Sequence, residues 1–438
     1  MSTIARNLVL LLLGVTCAAD PGFAGSAFEY DQDPINYSNA PVNDPVAVLQ
    51  RKIEKGEVRL TRDAQHGYLK SLLDELKIPV SSQVLVFSKT SFQRNRISPK
   101  TPRALYFNDD VYVGFVHGGD VLEISSTDPT QGAIFYTVAQ GKDHGAKFVR
   151  QTHACLQCHD SSSMTGGVPG HVVRSVFTDN TGQPLLSAGT FRTTQESPLK
   201  ERWGGWYVTG THGKQVHLGN AFLEDEEHPE KFDTAAGANV TSLANRFDAS
   251  DYLSGHSDIV ALMVLEHQTQ MHNLITKASY LTRIAVRDQA EMNKALGEPA
   301  DRVSDSTRSR VRSAAEPLVR HMLFADEAKL TDRIEGTSTF AKDFQSVGMK
   351  DAQGRSLRDL DLTTRMFKYP CSYLVYSESF DRLPDILKEQ VYSRLRAVLT
   401  GEEKSKEFAH LSDADRKAVL EILLATKRDL PDSWRESR

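Results

Sequence analysis

The chain has 438 residues, 39% of them hydrophobic and 25% charged, with 28 Gly and 17 Pro. At about 150 residues per domain this length suggests two or three units, and the composition excludes collagen-like, low-complexity and polytopic membrane proteins. The 52 Lys and Arg stand against 57 Asp and Glu, a formal charge of -5, so no basic surplus draws the chain to nucleic acid and none is expected as a partner.

Residues 1–24 have the layout of a signal peptide: Arg6, an apolar run from Leu8 to Val15, then small residues with cleavage points after Ala19 or Ala24. The apolar run is too short to cross about 30 Å of hydrocarbon as a helix. The mature chain is therefore expected to be periplasmic or otherwise exported, with no transmembrane segment. Lipid attachment at Cys17 is disfavoured by Gly14, which stands where an aliphatic residue belongs. Cleavage beyond Cys17 leaves Cys155, Cys158 and Cys371, and an odd number of thiols cannot be fully paired within one exported chain.

Residues 25–80 read as an N-terminal arm followed by helices. The polar stretch FEYDQDPINYSNAPVND has little periodicity and reads as an extended arm. Asp44 is placed to cap the run PVAVLQRKIEKGEV with Pro45 in the first helical position, and AQHGYLKSLLDELK repeats apolar residues at helical spacing. Residues 81–225 are β-rich: VLVFS, RALYFN, VYVGFV, VLEISS, AIFYTV, HVVRSVF and GWYVTG are separated by turn residues such as Asn108–Asp110, Gly118–Gly119 and Asp128–Pro129. The acidic run LEDEEHPE marks a boundary, and residues 226–438 are mainly helical, from a long run beginning near Asp258 to a last one that Ser412 caps with Asp415 three residues on. The fold class expected is α+β, an antiparallel β-rich region followed by a mainly helical C-terminal region.

Within the β-rich region, Cys155, Leu156, Gln157, Cys158 and His159 spell C-x-x-C-H. Two thiols at this spacing can each add across one vinyl group of a porphyrin edge, while the next residue brings an imidazole to the iron. A redox disulfide of the C-x-x-C kind normally opens a helix after a strand, and here the Ser/Gly-rich DSSSMTGG follows instead. Half a zinc knuckle with His153 and His159 is a second alternative, but no second C-x-x-C or H-x-x-x-H accompanies it.

Through Cys155, Cys158 and His159 the sequence resembles the c-type cytochromes over about a dozen residues. The resemblance implies one covalent haem c with its iron on His159, assembly outside the cytoplasm, and redox partner proteins. The motif lies mid-chain among strand-like segments, so the compact helical fold of the small electron carriers is not carried over.

The ligand opposite His159 decides between electron transfer and catalysis. Met164 is disfavoured by reach, since five extended residues cover about 16 Å, barely enough to round a porphyrin edge. His144, His171, His212 and His217 lie in the β-rich region, while Met263, His267 and Met271 recur every four residues on one helix face; an open position is the remaining possibility. The bland reading of that helix face is a core stripe. Arg150, Arg174, Arg192 and Arg202 are candidate partners for haem propionates. Trp203, Trp206 and Tyr207 sit among glycines and could wall a crevice, and Cys371 reads as a buried thiol. Electron transfer is the function expected; a haem-dependent oxidoreductase acting on a peroxide, oxygen, nitrogen or sulfur species, and a haem-based sensor, are the alternatives.

Overall fold

The computed structural model describes residues 30–141, 145–226 and 228–435; residues 1–24, expected as a signal peptide, and His144 lie outside them. The segment expected as an extended arm is instead a series of turns docked on the sheet. Tyr30, Ile35 and Tyr37 are buried, Tyr37 donates its hydroxyl to the Ala133 carbonyl at 2.7 Å, and Arg150 holds the Tyr37 carbonyl. α1 (Pro45–Glu54) starts where Asp44 Oδ1 accepts the amides of Val46 and Ala47 at 3.0 and 3.2 Å. The other Asp44 oxygen accepts the Tyr136 hydroxyl at 2.6 Å, so the cap also fastens the helix to the sheet. α2 (Leu69–Glu75) buries Leu69, Leu72 and Leu73 beside it.

Six strands follow as an antiparallel meander: β1 (Val84–Val86), β2 (Arg103–Phe107), β3 (Val111–Val116), β4 (Val121–Asp128), β5 (Gly132–Ala139) and β6 (Phe148–Arg150). After a single helical turn, α3 (Leu156–His159), come the hairpin of β7 (Arg174–Val176) with β8 (Thr190–Arg192), then β9 (Trp206–Tyr207) and β10 (Gly210–Thr211). β9 pairs with β1, so the main sheet runs β6-β5-β4-β3-β2-β1-β9. The run HVVRSVF yields only the short β7, outside this sheet.

The C-terminal half is built on α4 (Ile259–Leu296), 38 residues capped by Asp258 and closed by Gly297 in the left-handed region at φ 66°, a rod of about 57 Å. Around it lie α5 (Asp305–Met322), β11 (Glu335–Gly336), α6 (Phe340–Ser346), α7 (Glu378–Asp381), α8 (Asp385–Leu399) and α9 (Asp413–Thr426), the last with the expected Ser412 and Asp415 capping box. β11 pairs with β10, stitching the helical part to the end of the β-rich part. The fold is α+β. Among the described residues no helix is long and apolar enough to cross a membrane.

Both faces of the sheet are covered. Successive side chains of a strand point to opposite faces, and here the two sets enter different cores. Val84, Val86, Phe107, Tyr112 and Trp206 join the core of α4 and α5, whereas Leu85, Ala104, Tyr106, Val111 and Val113 join that of α1 and α2. Between the sheet and α4, Arg202 and Glu266 form an ion pair at 2.8 Å with side-chain exposures of 4% and 0%. Removing one partner of such a pair strands a charge away from water, whereas replacing both with apolar groups is close to neutral. Arg202→Met is therefore expected to cost about 3–5 kcal/mol of unfolding free energy, and Glu266→Leu added to it to restore most of the loss. Urea unfolding of the two variants checks this, and a double variant no more stable than the single would place the origin of the loss elsewhere.

Candidate functional site

β6 hands the chain to α3 through Gln151, whose amide donates to the Phe135 carbonyl at 2.8 Å. In the turn that follows, the amides of Cys158 and His159 donate to the Cys155 carbonyl at 3.2 and 3.0 Å. Residues three and four apart on a helical turn share a side, and Cys155, Cys158 and His159 accordingly line one chamber of about 1130 Å³. Asp160 leaves the helical conformation at φ -136°, and its carboxylate accepts the Tyr30 hydroxyl. The loop beyond returns to His159 so that the two ends lock: the Gly170 amide donates to the His159 carbonyl at 2.8 Å, and His159 Nδ1 donates to the Gly170 carbonyl at 2.9 Å. A carbonyl can only accept, so the hydrogen sits on Nδ1 and the Nε2 lone pair is free. Burial holds this imidazole below its ordinary pKa, so it is neutral at pH 7.

Neither thiol of the motif is paired. Burial, with Glu123 adding to it, pushes Cys155 up to about 11, the opposite of the lowered thiolate that redox C-x-x-C motifs use. Among the described residues no three His, Cys, Asp or Glu side chains gather into a metal-holding set, and His153 is exposed.

An inner chamber of about 340 Å³ continues from the outer one toward α4, lined by Tyr112, Ser125, His171, Trp206, Leu265 and Thr269 among others. Phe92, Arg103, Glu123, Ala154, Cys155 and His159 line both. At the junction the Arg103 guanidinium meets Glu123 Oε2 at 2.8 Å. Arg103 lies across Gly114, where a Cβ would stand 2.5 Å from a guanidinium nitrogen, so a larger residue would push Arg103 aside. Arg103 Nε is buried with no hydrogen-bond partner. An orphaned donor of this kind is costly and fits an anionic ligand group at the junction. Two unpaired thiols, one imidazole with a free Nε2, an unsatisfied guanidinium nitrogen and chambers of ligand-site size together fit a covalently attached haem c.

Among the described residues named for the position opposite His159, His171 alone lines one of the two chambers. Its Nδ1 lies 3.2 Å from Ser125 Oγ and its Nε2 3.4 Å from Thr127 Oγ1. His212 Nε2 accepts the Asn239 amide at 3.0 Å, and His217 Nδ1 accepts the Gly219 amide at 3.0 Å. Met263, His267 and Met271 do share a face of α4, but the two methionines are in the core. His267 stacks on Phe324 at 4.6 Å and on His321 at 5.2 Å. Among the arginines, Arg174 lines the outer chamber. Arg150 is held by backbone carbonyls, Arg192 reaches Gln270 at 3.3 Å, and Arg202 is consumed by Glu266. Trp206 lines the inner chamber and donates its indole N–H to the Arg174 carbonyl at 2.8 Å, while Trp203 packs beside His217 and Tyr207 reaches the Pro99 carbonyl. Cys371 is buried, its thiol pushed up to about 12 by that burial.

Sequence reasoning missed Arg103, Glu123, Gly114 and Asn273. The first three converge only through strand register, Arg103 and Glu123 flanking Gly114 on neighbouring strands. Asn273 of α4 clamps His171 by both backbone groups: the His171 amide donates to Oδ1 and Nδ2 donates to the His171 carbonyl, each at 2.8 Å. Its one local trace is an Asn inside a helix, an unfavourable position unless the side chain has a partner. No protein-family profile matches the chain, and neither does any curated protein or solved structure.

A Cβ on Gly170 would lie 2.3 Å from Asn273 Oδ1. Gly170→Ala is expected to cost about 1–3 kcal/mol by forcing the clamp apart. Asn273→Ala, which strands the two His171 backbone groups, should cost a similar amount, and the double variant less than the sum. A double-mutant cycle in urea unfolding reads the coupling; strict additivity would mean the two residues do not act through one contact.

Proposed function

We propose that the chain is an exported mono-haem c-type cytochrome that transfers electrons through covalently bound haem c, exchanging them with redox partner proteins. The observation that carries this reading is one turn, Cys155 to His159, presenting two unpaired thiols and a free imidazole Nε2 to the same chamber while Nδ1 is tied to Gly170. When bound, haem c supplies a one-electron iron couple. Cys155 and Cys158 would hold the ring by thioether bonds, and His159 Nε2 would ligate the iron. The Gly170 carbonyl fixes the imidazole's orientation and tautomer and raises its donor strength. Arg103, with Arg94 and Arg174 along the outer chamber, would meet the propionates, for which a guanidinium fork is suited. At the rim of that chamber Phe92 and Leu186 are 69% and 54% exposed, apolar surface of the kind that partner proteins cover.

A second reading, an oxidoreductase with an open iron position, is favoured by the inner chamber, where Tyr112, His171 and Thr269 offer polar groups to a small substrate. Carbon monoxide separates the two: a haem that ignores it is held by a sixth ligand and favours transfer, and one that binds it favours catalysis.

Replacing Cys155 and Cys158 together with Ala is expected to abolish haem-dependent peroxidase staining on a denaturing gel, and undiminished staining would sink the proposal. His159→Ala, made in the wild-type cysteine background, should keep the stain while moving the Soret and reduced-state bands, because attachment and ligation are separate bonds.

A further inference from the structure

His171 lines the inner chamber and has no part in the proposed electron transfer. It is 5% exposed, and its backbone is clamped by Asn273. Its ring stands between two hydroxyls of the same strand face, Ser125 on Nδ1 at 3.2 Å and Thr127 on Nε2 at 3.4 Å. Ser125 lines the inner chamber. Thr127 lines a different cavity, a side pocket of about 300 Å³ that also holds Asp110 and opens among the exposed residues Lys52, Glu75, Lys77 and Glu378. The imidazole thus stands between Ser125 of the inner chamber, which touches His159, and Thr127 of the side pocket.

We propose that Thr127, His171 and Ser125 form a proton conduit joining the side pocket to the inner chamber. A proton from water in the side pocket binds Thr127 Oγ1, whose own hydrogen passes to His171 Nε2. The hydrogen on Nδ1 then passes to Ser125 Oγ, and the Ser125 hydrogen to water in the inner chamber. One proton enters and one leaves, both hydroxyls are restored, and the only net change is the tautomer of His171. A proton travelling back resets it. If the proposed function holds, this traffic would balance the charge gained and lost by the haem, and that purpose rests on the haem reading whereas the conduit does not.

The surroundings suit a neutral relay. Burial, with His272 and His159 nearby, keeps His171 well below its ordinary pKa, so one nitrogen carries a hydrogen and the other a lone pair at pH 7. The groups facing the ring are Tyr112, 4.4 Å away between centroids, and His272, at 5.7 Å. His272 is itself fixed by donating Nε2–H to the Asp109 carbonyl at 2.8 Å. At the outer end the Thr127 amide donates to the Asp110 carbonyl at 2.8 Å. Burial, with Asp109 and Glu378 adding to it and Arg358 opposing, pushes the Asp110 carboxyl up to about 7. That group can load and release a proton near neutrality.

The test uses the full chain labelled with ¹⁵N-histidine and expressed without haem attachment, so that it reads the conduit whether or not the haem proposal stands. The probe is the rate at which the His171 ring N–H exchanges with water. Thr127→Val, which keeps the shape and removes the hydroxyl, is expected to slow exchange about tenfold or more, Ser125→Ala to slow it further when added, and Thr127→Ser to restore it. Exchange unchanged in both Thr127→Val and the double variant, with far-ultraviolet circular dichroism matching the wild type, would overturn the proposal. In the haem-loaded protein, an indicator dye following flash reduction should show proton uptake slowed by a similar factor in Thr127→Val. A chain that carries no haem would end the proposed function, and the exchange rates alone would then decide whether the conduit stands.

Discussion

The arrangement depends on two consecutive peptide units, those of Gly170 and His171, being held from three sides. The Gly170 carbonyl takes the hydrogen of His159 Nδ1, the Gly170 amide donates to the His159 carbonyl, and Asn273 takes both backbone groups of His171. Each of these is an ordinary hydrogen bond, worth about 1 kcal/mol net. Their effect is larger than their sum suggests because they share two adjacent residues: the turn that carries the thiols, the sheet that forms the chamber wall and the long helix behind it are registered to one another at a single point. Apart from these bonds, the His159 imidazole packs against the Phe135 ring at 4.8 Å between centroids. A glycine is required there because a side chain would occupy the space of the Asn273 amide.

The chamber exists because the sheet has two unlike faces. The side toward α1 and α2 is closed by Leu85, Tyr106 and Val113 and their neighbours. The side toward α4 is apolar at the β1 end, through Val84, Val86 and Trp206, but carries Arg103, Glu123 and Ser125 where the motif crosses it. Polar groups on a buried face are tolerated only where they find partners. Arg103 and Glu123 satisfy each other in part, Ser125 meets His171, and the leftover Arg103 Nε marks where the packing expects something the polypeptide does not supply.

Much of this is legible in the sequence, and the rest is hidden for identifiable reasons. The meander from β1 to β6 follows from alternating apolar runs punctuated by turn residues, since each strand pairs with its neighbour in the chain. The caps at Asp44, Asp258 and Ser412 are local chemistry, readable as such for Asp44 and Ser412. HVVRSVF reads as a full strand because its apolar alternation gives no sign that the backbone of His171 is committed to a side chain about a hundred residues away. The polar stretch before Asp44 reads as a loose arm because its anchors, Tyr30 and Tyr37, bond to Asp160 and Ala133, partners no local pattern indicates. The C-x-x-C-H motif is visible at once, being contiguous. Its setting is not, because Arg103, Gly114 and Glu123 become neighbours only once three strands are in register.

The walls of the inner chamber come from β2 through β5, from the segment around α3, from Trp206 and from Leu265 and Thr269 of α4. The last of these is contributed more than a hundred residues after Cys155, so in synthesis from the N-terminus the two thiols emerge well before the inner chamber beside Cys155 can close. Any group bonded to those sulfurs has its widest access during that interval, when Cys155 is not yet roofed. α4 lines the inner chamber and not the outer one, so the order of elements along the chain bears on what the inner chamber encloses and leaves the side of Cys158 open.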